Sequence, residues 1–284
     1  MRKKVTIQTL RDKMAAKARI SMITGYDFPL AQLEERAGID IILVGDSLGM
    51  TVLGYDSTLP VGMDIMIEHC QAVRRGAPGA FLVGDMPFMS YQTGPRDAVV
   101  NAGRFMKEAG TDAVKLEGGR NVQDIVAALT KATIPVMGHL GLTPQSIAML
   151  GGFKAQGRSL AAAEALIEDA RALEEAGAVM ILLEAVPPEL AQLISERATI
   201  PIIGIGAGPF VHGQLLIVHD MLGFFDAFTP KFVKKYANLN ATITDALAAY
   251  IQDIESGAFP QPEHNYKMEA EALAQFKERY QAAV

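Results

Sequence analysis

The phrase ERAGIDIILVGD (residues 35–46) returns as KEAGTDAVKLEG (107–118) and EEAGAVMILLEA (174–185). Each copy leaves a helix-like segment through a glycine and enters a short apolar run that closes on Asp or Glu. The glycine suits a left-handed helix C-cap, where a β-carbon would be strained. KATIPV (131–136) and ERATIPI (196–202) make the same join in a second form. A chain that repeats helix end, glycine and buried strand is built from αβ units.

Outward from these copies, strand-like runs appear at RISMITGYD (19–27), IDIILVGD (39–46), GAFLVGD (79–85), DAVKLEGG (112–119), IPVMGHLG (134–141), AVMILLEA (178–185), IPIIGIGAG (200–208) and, more weakly, GFFDAFTPK (223–231). They are almost continuously apolar rather than alternating, the pattern of parallel strands covered on both faces. Helical periods lie between them: Pro95 opens one with Ala98, Ala102, Phe105 and Ala109 on its apolar face, and Leu166, Ala170 and Leu173 mark another that stops at Gly177. Eight strands alternating with helices predict an α/β fold of the (β/α)8 TIM-barrel kind, because each parallel strand needs a crossover and the crossovers must cover the outside. The alternative is an open doubly wound sheet, but no GxGxxG follows an early strand. No composition shift marks a boundary, so residues 1–284 are expected to form one barrel domain. Residues 1–17 would be a helix over its closed end, and residues 241–255 and 267–280 a helical extension beyond it.

Composition narrows the function. With 284 residues, 50% apolar and 20% charged, the chain has ample material for one large core. Its net charge is −6 and its basic residues are scattered, which leaves no footprint for a phosphate backbone and speaks against nucleic acid. The basic start MRKK is followed by no apolar signal core, and no apolar run approaches membrane-spanning length, so the expectation is a cytoplasmic protein with no membrane partner. Cys70 is the single cysteine, in a helix-like stretch, and is expected to pack as a small side chain.

A barrel gathers all its strand ends on one rim, where such folds carry their chemistry. Here that rim would hold Tyr26 and Asp27, Asp46 and Ser47, Asp85, Lys115 and Glu117, His139, Glu184 and the Gly206–Gly208 turn. Asp46, Asp85 and Glu117 come from neighbouring strands. Two like charges about 4 Å apart repel by roughly 4 kcal/mol at an effective dielectric near 20, so three carboxylates need protons, cations or a metal ion. Lys115 supplies one charge. An all-oxygen set favours a hard cation such as Mg²⁺. The competing reading is that each acid caps the helix that follows it. Glu184, across the rim in ILLEAVPP (181–188), is a candidate general base, or a cap ahead of Pro187 and Pro188. His139 either binds substrate or is held by loop backbone. Ser47 reads as a hydrogen-bond donor rather than a nucleophile. GGFKAQGR (151–158) is either a lid over the open face or an ordinary loop.

VGDSLGM (44–50), DSTLPV (56–61), RRGAP (74–78), DMPFM (85–89), VKLEGG (114–119), GHLGLTPQ (138–145), GGFKAQGR, GIGAG (204–208) and PEH (262–264) occur in an order that resembles the 3-methyl-2-oxobutanoate (ketopantoate) hydroxymethyltransferase family. The resemblance implies a barrel of the phosphoenolpyruvate and pyruvate type. It also implies transfer of a hydroxymethyl group from 5,10-methylenetetrahydrofolate, as co-substrate, to 3-methyl-2-oxobutanoate through a Mg-stabilised enolate, giving 2-dehydropantoate for pantothenate. By resemblance Asp46, Asp85 and Glu117 hold one Mg²⁺ per subunit, Asp46, Ser47, Asp85 and Lys115 contact the oxo acid, and Glu184 accepts the proton. His139 joins the substrate-binding set. The family is cytoplasmic and homo-oligomeric, commonly a decamer. A Mg-dependent lyase or decarboxylase on another 2-oxo acid is the rival enzyme reading, and a non-catalytic ligand-binding barrel is the rival outside enzymes.

Overall fold

Why the glycine-led runs become strands is visible in their pleat. In the computed structural model, which describes residues 2–152 and 154–280, successive strand residues point alternately into the barrel and out toward the helices. The elements run α1 (Ile7–Ala15), β1 (Ile20–Thr24), α2 (Phe28–Ala37), β2 (Ile41–Val44), α3 (Leu48–Thr51), α4 (Met63–Gly76), β3 (Phe81–Asp85), α5 (Pro95–Glu108), β4 (Ala113–Glu117) and α6 (Gln123–Lys131). They continue with β5 (Val136–Gly141), α7 (Ile147–Leu150), α8 (Leu160–Glu175), β6 (Met180–Glu184), α9 (Pro188–Arg197), β7 (Ile202–Ile205), β8 (Gly213–Leu216) and α10 (Val218–Met221). Each strand pairs parallel with the next, and β8 closes on β1 through Ile20–Gly213 and Met22–Leu215.

Ile41, Leu43, Phe81, Val83, Met137 and Leu182 fill the barrel interior, while Ile42, Leu82, Val114 and Ile181 face outward beneath the helices. Because both faces are buried, the runs carry no polar alternation. Gly84 of the second LVGD shows why a glycine stands there: a β-carbon would run into the Phe105 ring of α5. Gly38, closing α2, has φ 85° and takes the left-handed cap expected of the repeated phrase. α5 opens at Pro95 and buries Ala98, Ala102 and Phe105. Cys70 lies fully buried in α4. Thr6 and Thr9 form a capping box on α1, and Val5 and Leu10 join the interior cluster, so this segment stops the N-terminal end of the barrel.

One strand differs from the sequence reading. The eighth is Gly213–Leu216, and GFFDAFTPK is non-strand chain after α10. The four-residue GQLL run is too short and too polar at Gln214 to register as periodic, whereas Phe225 and Phe228 are apolar for another purpose, lining a cavity.

By packing, the chain divides into two units, Met1–Ala237 and Asn238–Val284. The second contains α11 (Leu239–Ser256) and α12 (Ala270–Tyr280), where helices were expected. Within it Phe259 lies between Tyr250 and His264, at ring-centroid distances of 5.9 and 5.1 Å. Among the described residues no helix is long and apolar enough to cross a membrane.

Candidate active site

The same pleat that places Val83 inside the barrel places Asp85 inside it two residues later, and Met137 is followed in the same way by His139, Leu182 by Glu184. The inward row therefore turns from apolar to charged at the C-terminal rim. Strand register pairs Asp85 with Lys115 and Glu117 with His139, and sets Glu184 opposite Gly141, two residues beyond His139.

The result is a continuous polar arc over five strands. Asp46 donates its backbone N–H to Asp85 Oδ2 at 3.0 Å. Lys115 Nζ donates to Asp85 Oδ1 and Oδ2 at 2.6 and 2.7 Å and lies 3.7 Å from Glu117 Oε1. His139 Nδ1 is 3.3 Å from the same Glu117 oxygen. His139 Nε2 reaches Glu184 Oε2 at 3.2 Å, off the line a hydrogen bond needs, so that contact is an ion-pair contact only. Glu184, expected across the rim from the other acids, is thus joined to them through one imidazole. His139 is held by two carboxylates rather than by loop backbone. Ser47 Oγ lies 2.8 Å from the Tyr26 hydroxyl, with no base beside it.

None of these acids caps a helix. No side chain caps α3 or α9, and Asp46, Asp85 and Glu184 all line one cavity of 690 Å³ together with Lys115, Glu117, His139 and Ser47. Asp27 is the exception on the predicted rim: its Oδ1 accepts from Leu30 N at 2.8 Å as the N-cap of α2. Of the GGFKAQGR stretch, Lys154 and Ala155 line the cavity and Gln156 N donates to Ala185 O at 2.9 Å, while Phe153 lies outside the described residues.

Burial dominates the electrostatics. It pushes the Asp46 carboxyl well above the ordinary carboxylate range, reinforced by the charge of Asp85, and it raises Asp85 against the opposing pull of Lys115. Burial disfavours a charged Lys115, but Asp85, Glu117 and Asp46 outweigh it and hold the ammonium protonated. Burial and Lys115 also act against the imidazolium of His139, yet Glu117 and Glu184 raise it to about 9. The same His139 contact, with Lys115, keeps Glu117 below its usual range despite burial. The site is short of positive charge at Asp46 and Asp85. Among the described residues no three His, Cys, Asp or Glu side chains stand ready in metal-ligand geometry, since Lys115 and Gln145 take up oxygens of Asp85 and Asp46. The donor chemistry is nonetheless that of a hard-cation site: buried carboxylate oxygens, two of them with raised proton affinity, opening on one cavity.

Two contributors escaped the sequence reading. Gln145 is buried, and its amide Nε2 donates to Asp46 Oδ2 and Met86 O, both at 2.9 Å. Its backbone N–H donates to Glu117 Oε2 at 2.9 Å, and its Oε1 accepts from Tyr91 Oη at 2.8 Å. A neutral amide in a loop carries no local signal; only the closure of the barrel brings it under the acids.

Comparison with known proteins identifies the family. The family description of ketopantoate hydroxymethyltransferase matches residues 4–262. The 3-methyl-2-oxobutanoate hydroxymethyltransferase of Syntrophomonas wolfei is 54% identical over 270 residues, covering 95% of this chain and 98% of the relative. That of Desulfotalea psychrophila is 56% identical over 262 residues, covering 91% and 94%. Among solved structures, phosphonopyruvate hydrolase in complex with oxalate and Mg²⁺ superposes with a TM-score of 0.59 at 16% identity, covering 97% of this chain and 96% of that one. A 2,3-dimethylmalate lyase, a member of the PEP mutase/isocitrate lyase superfamily, gives 0.58 at 15% identity, covering 98% of each. These structural likenesses concern the barrel fold. The chain belongs to the ketopantoate hydroxymethyltransferase family.

Proposed function

We propose that this enzyme transfers a hydroxymethyl group from 5,10-methylenetetrahydrofolate to 3-methyl-2-oxobutanoate, forming 2-dehydropantoate in the cytoplasmic synthesis of pantothenate. The observation that carries the reading is the polar arc, in which a candidate base, Glu184, is tied through His139 to three further acids and Lys115 within one cavity. Relatives above 50% identity, themselves 3-methyl-2-oxobutanoate hydroxymethyltransferases, support the acceptor and the group transferred. The folate donor rests on the family resemblance.

Asp46, Asp85 and Glu117 would hold one Mg²⁺ per subunit. The all-oxygen chemistry of these donors supports the choice, and phosphonopyruvate hydrolase, a barrel of the same fold, carries oxalate and Mg²⁺. When bound, the cation supplies Lewis acidity, drawing electron density from a chelated keto group so that the adjacent C–H is more acidic. Glu184 takes the proton from C3. His139 holds the Glu184 carboxylate in place from one side while bound to Glu117 on the other. Lys115 offsets the negative charge of the substrate carboxylate, and Ser47 donates a hydrogen bond to it. C3 then bonds to the one-carbon unit, both bonds from that carbon to folate nitrogens break, water supplies the hydroxyl oxygen, and the C3 proton and one water proton end on the two freed nitrogens.

Proton NMR of 3-methyl-2-oxobutanoate in D₂O with the full-length protein tests the reading. The C3 proton should exchange with Mg²⁺ present, stop exchanging after EDTA, and recover when Mg²⁺ is restored; 2-dehydropantoate should form only when 5,10-methylenetetrahydrofolate is added. Absence of exchange at saturating Mg²⁺ and oxo acid would overturn it.

A further inference from the structure

The cavity is larger than its acidic side requires. A five-carbon oxo acid at the arc occupies a small part of 690 Å³, a volume in the range that encloses much larger ligands. The wall on the β8 and α10 side has different chemistry: Phe225, Phe228, Pro230 and Phe232 line it, with one acid among them, Asp220.

Asp220 is 5% exposed, and among the described residues burial and the charge of Lys235, not a hydrogen bond, act on its carboxyl. Burial raises this carboxyl to about 6 against the charge of Lys235, so at neutral pH most of it is ionised. Its oxygens are not sealed within the protein, so the carboxylate is open to the cavity and to what fills it. Its surroundings are nonetheless built to hold it still. Val218 N donates to Thr24 Oγ1 at 3.0 Å, fixing α10 to β1. The neighbouring His219 ring packs between Tyr26 and Phe224, at centroid distances of 5.3 and 5.2 Å. A rigid acceptor, set among aromatic faces in a cavity with room to spare, is half of a recognition pair.

We propose that Asp220 and the Phe225, Phe228 and Phe232 wall form the subsite for the one-carbon donor, receiving a planar heteroaromatic ring whose edge presents adjacent N–H groups, as the pterin of a reduced folate does. The two carboxylate oxygens match two parallel N–H donors, a charge-assisted pairing stronger than neutral hydrogen bonds. The phenylalanines offer ring faces for stacking. Lys231 and Lys154, both lining the cavity, suit an anionic tail on the same molecule. This assignment rests on the folate reading of the proposed function and adds to it the residues that would read the donor.

The test uses full-length protein and two readouts: calorimetric titration with tetrahydrofolate, and C3-proton exchange of the oxo acid in D₂O, which needs no donor. Asp220→Asn should weaken tetrahydrofolate binding, and raise KM for the methylene donor, by roughly 10- to 100-fold, while exchange persists. Phe228→Ala alters an exposed side chain, 66% accessible, and should weaken the same titration roughly tenfold without endangering the fold. Wild-type binding of tetrahydrofolate with both variants unaffected would overturn the subsite and leave the proposed reaction standing. Wild-type protein that exchanges the proton but binds no tetrahydrofolate would overturn the donor reading and the subsite together. Should Asp220→Asn not fold, Phe228→Ala decides alone.

Discussion

In the proposed reaction the site's chemistry turns on Glu184, the candidate base, and on Gln145, which supports the acids. Glu184→Gln should reduce C3-proton exchange by roughly 100-fold or more while the oxo acid still binds, because the amide keeps the shape but has no basic oxygen. Exchange at the wild-type rate, followed by NMR, would remove Glu184 from that role. Gln145 acts at one remove: its side-chain amide orients Asp46, while its backbone N–H, which any substitution but proline keeps, holds Glu117, so loss of the side chain frees Asp46 alone. Gln145→Leu should raise the Mg²⁺ concentration for half-maximal exchange by roughly 10-fold or more, as loss of a group that orients metal ligands typically does. An unchanged Mg²⁺ titration, with a lowered melting temperature as the only effect, would make Gln145 a purely structural residue. The candidate acids and Lys115 were legible in the sequence because each lies in or just after the closing residues of a buried apolar run. Gln145 and Tyr91 were not, since a polar residue in a loop resembles any other until the strands bring it into place.

At the scale of elements, α2 carries a cost that does not belong to catalysis. Glu34 is 5% exposed and neither carboxylate oxygen has a hydrogen-bond partner. Burial, with the charge of Asp27, raises its carboxyl from 4.5 to about 8. An acid whose folded pKa is raised gives its full contribution to stability below the unfolded value, and that contribution is lost as pH rises through the folded value. The native state should therefore weaken between about pH 4.5 and 8 on account of this one group. Glu34→Gln should leave the melting temperature near the wild-type value at pH 5 and raise it by several degrees at pH 9. Equal melting temperatures at pH 9 would show that Glu34 finds a partner when it ionises. Asp27, at the start of the same helix, looked from the sequence like another rim acid. Its side chain is committed to the Leu30 amide, and only the local geometry of the helix start separates it from Asp46 and Asp85.

For the whole molecule, the second unit presents a surface that its own residues leave open. On α11, Ile243, Leu247, Tyr250, Ile251 and Ile254 are all exposed, at spacings of three, four and seven that place them on one helical face. A stripe of that kind on a homo-oligomer is a natural contact surface. If the assembly is the decamer that the family resemblance implies, Leu247→Asp with Ile251→Lys should shift the mass in light scattering toward that of a single chain, and an unchanged mass would exclude this face from the interface.

The sequence by itself determined the barrel and the identity of the rim acids, because both follow from local physics: apolar runs too continuous for a half-exposed sheet, glycines where helices must end, and an acid at or just after the end of β2, β3, β4 and β6. It also misplaced the last strand, where GQLL is too short for periodicity to detect and aromatic residues imitate a buried run. What the tertiary structure alone decided is which groups touch. Closing the sheet brought His139 between Glu117 and Glu184, set Gln145 under Asp46, and turned the false eighth strand into a cavity wall beside Asp220. Contacts between strand ends that lie dozens of residues apart depend on register and on the curvature of the closed sheet, and neither is written in any short stretch of the chain.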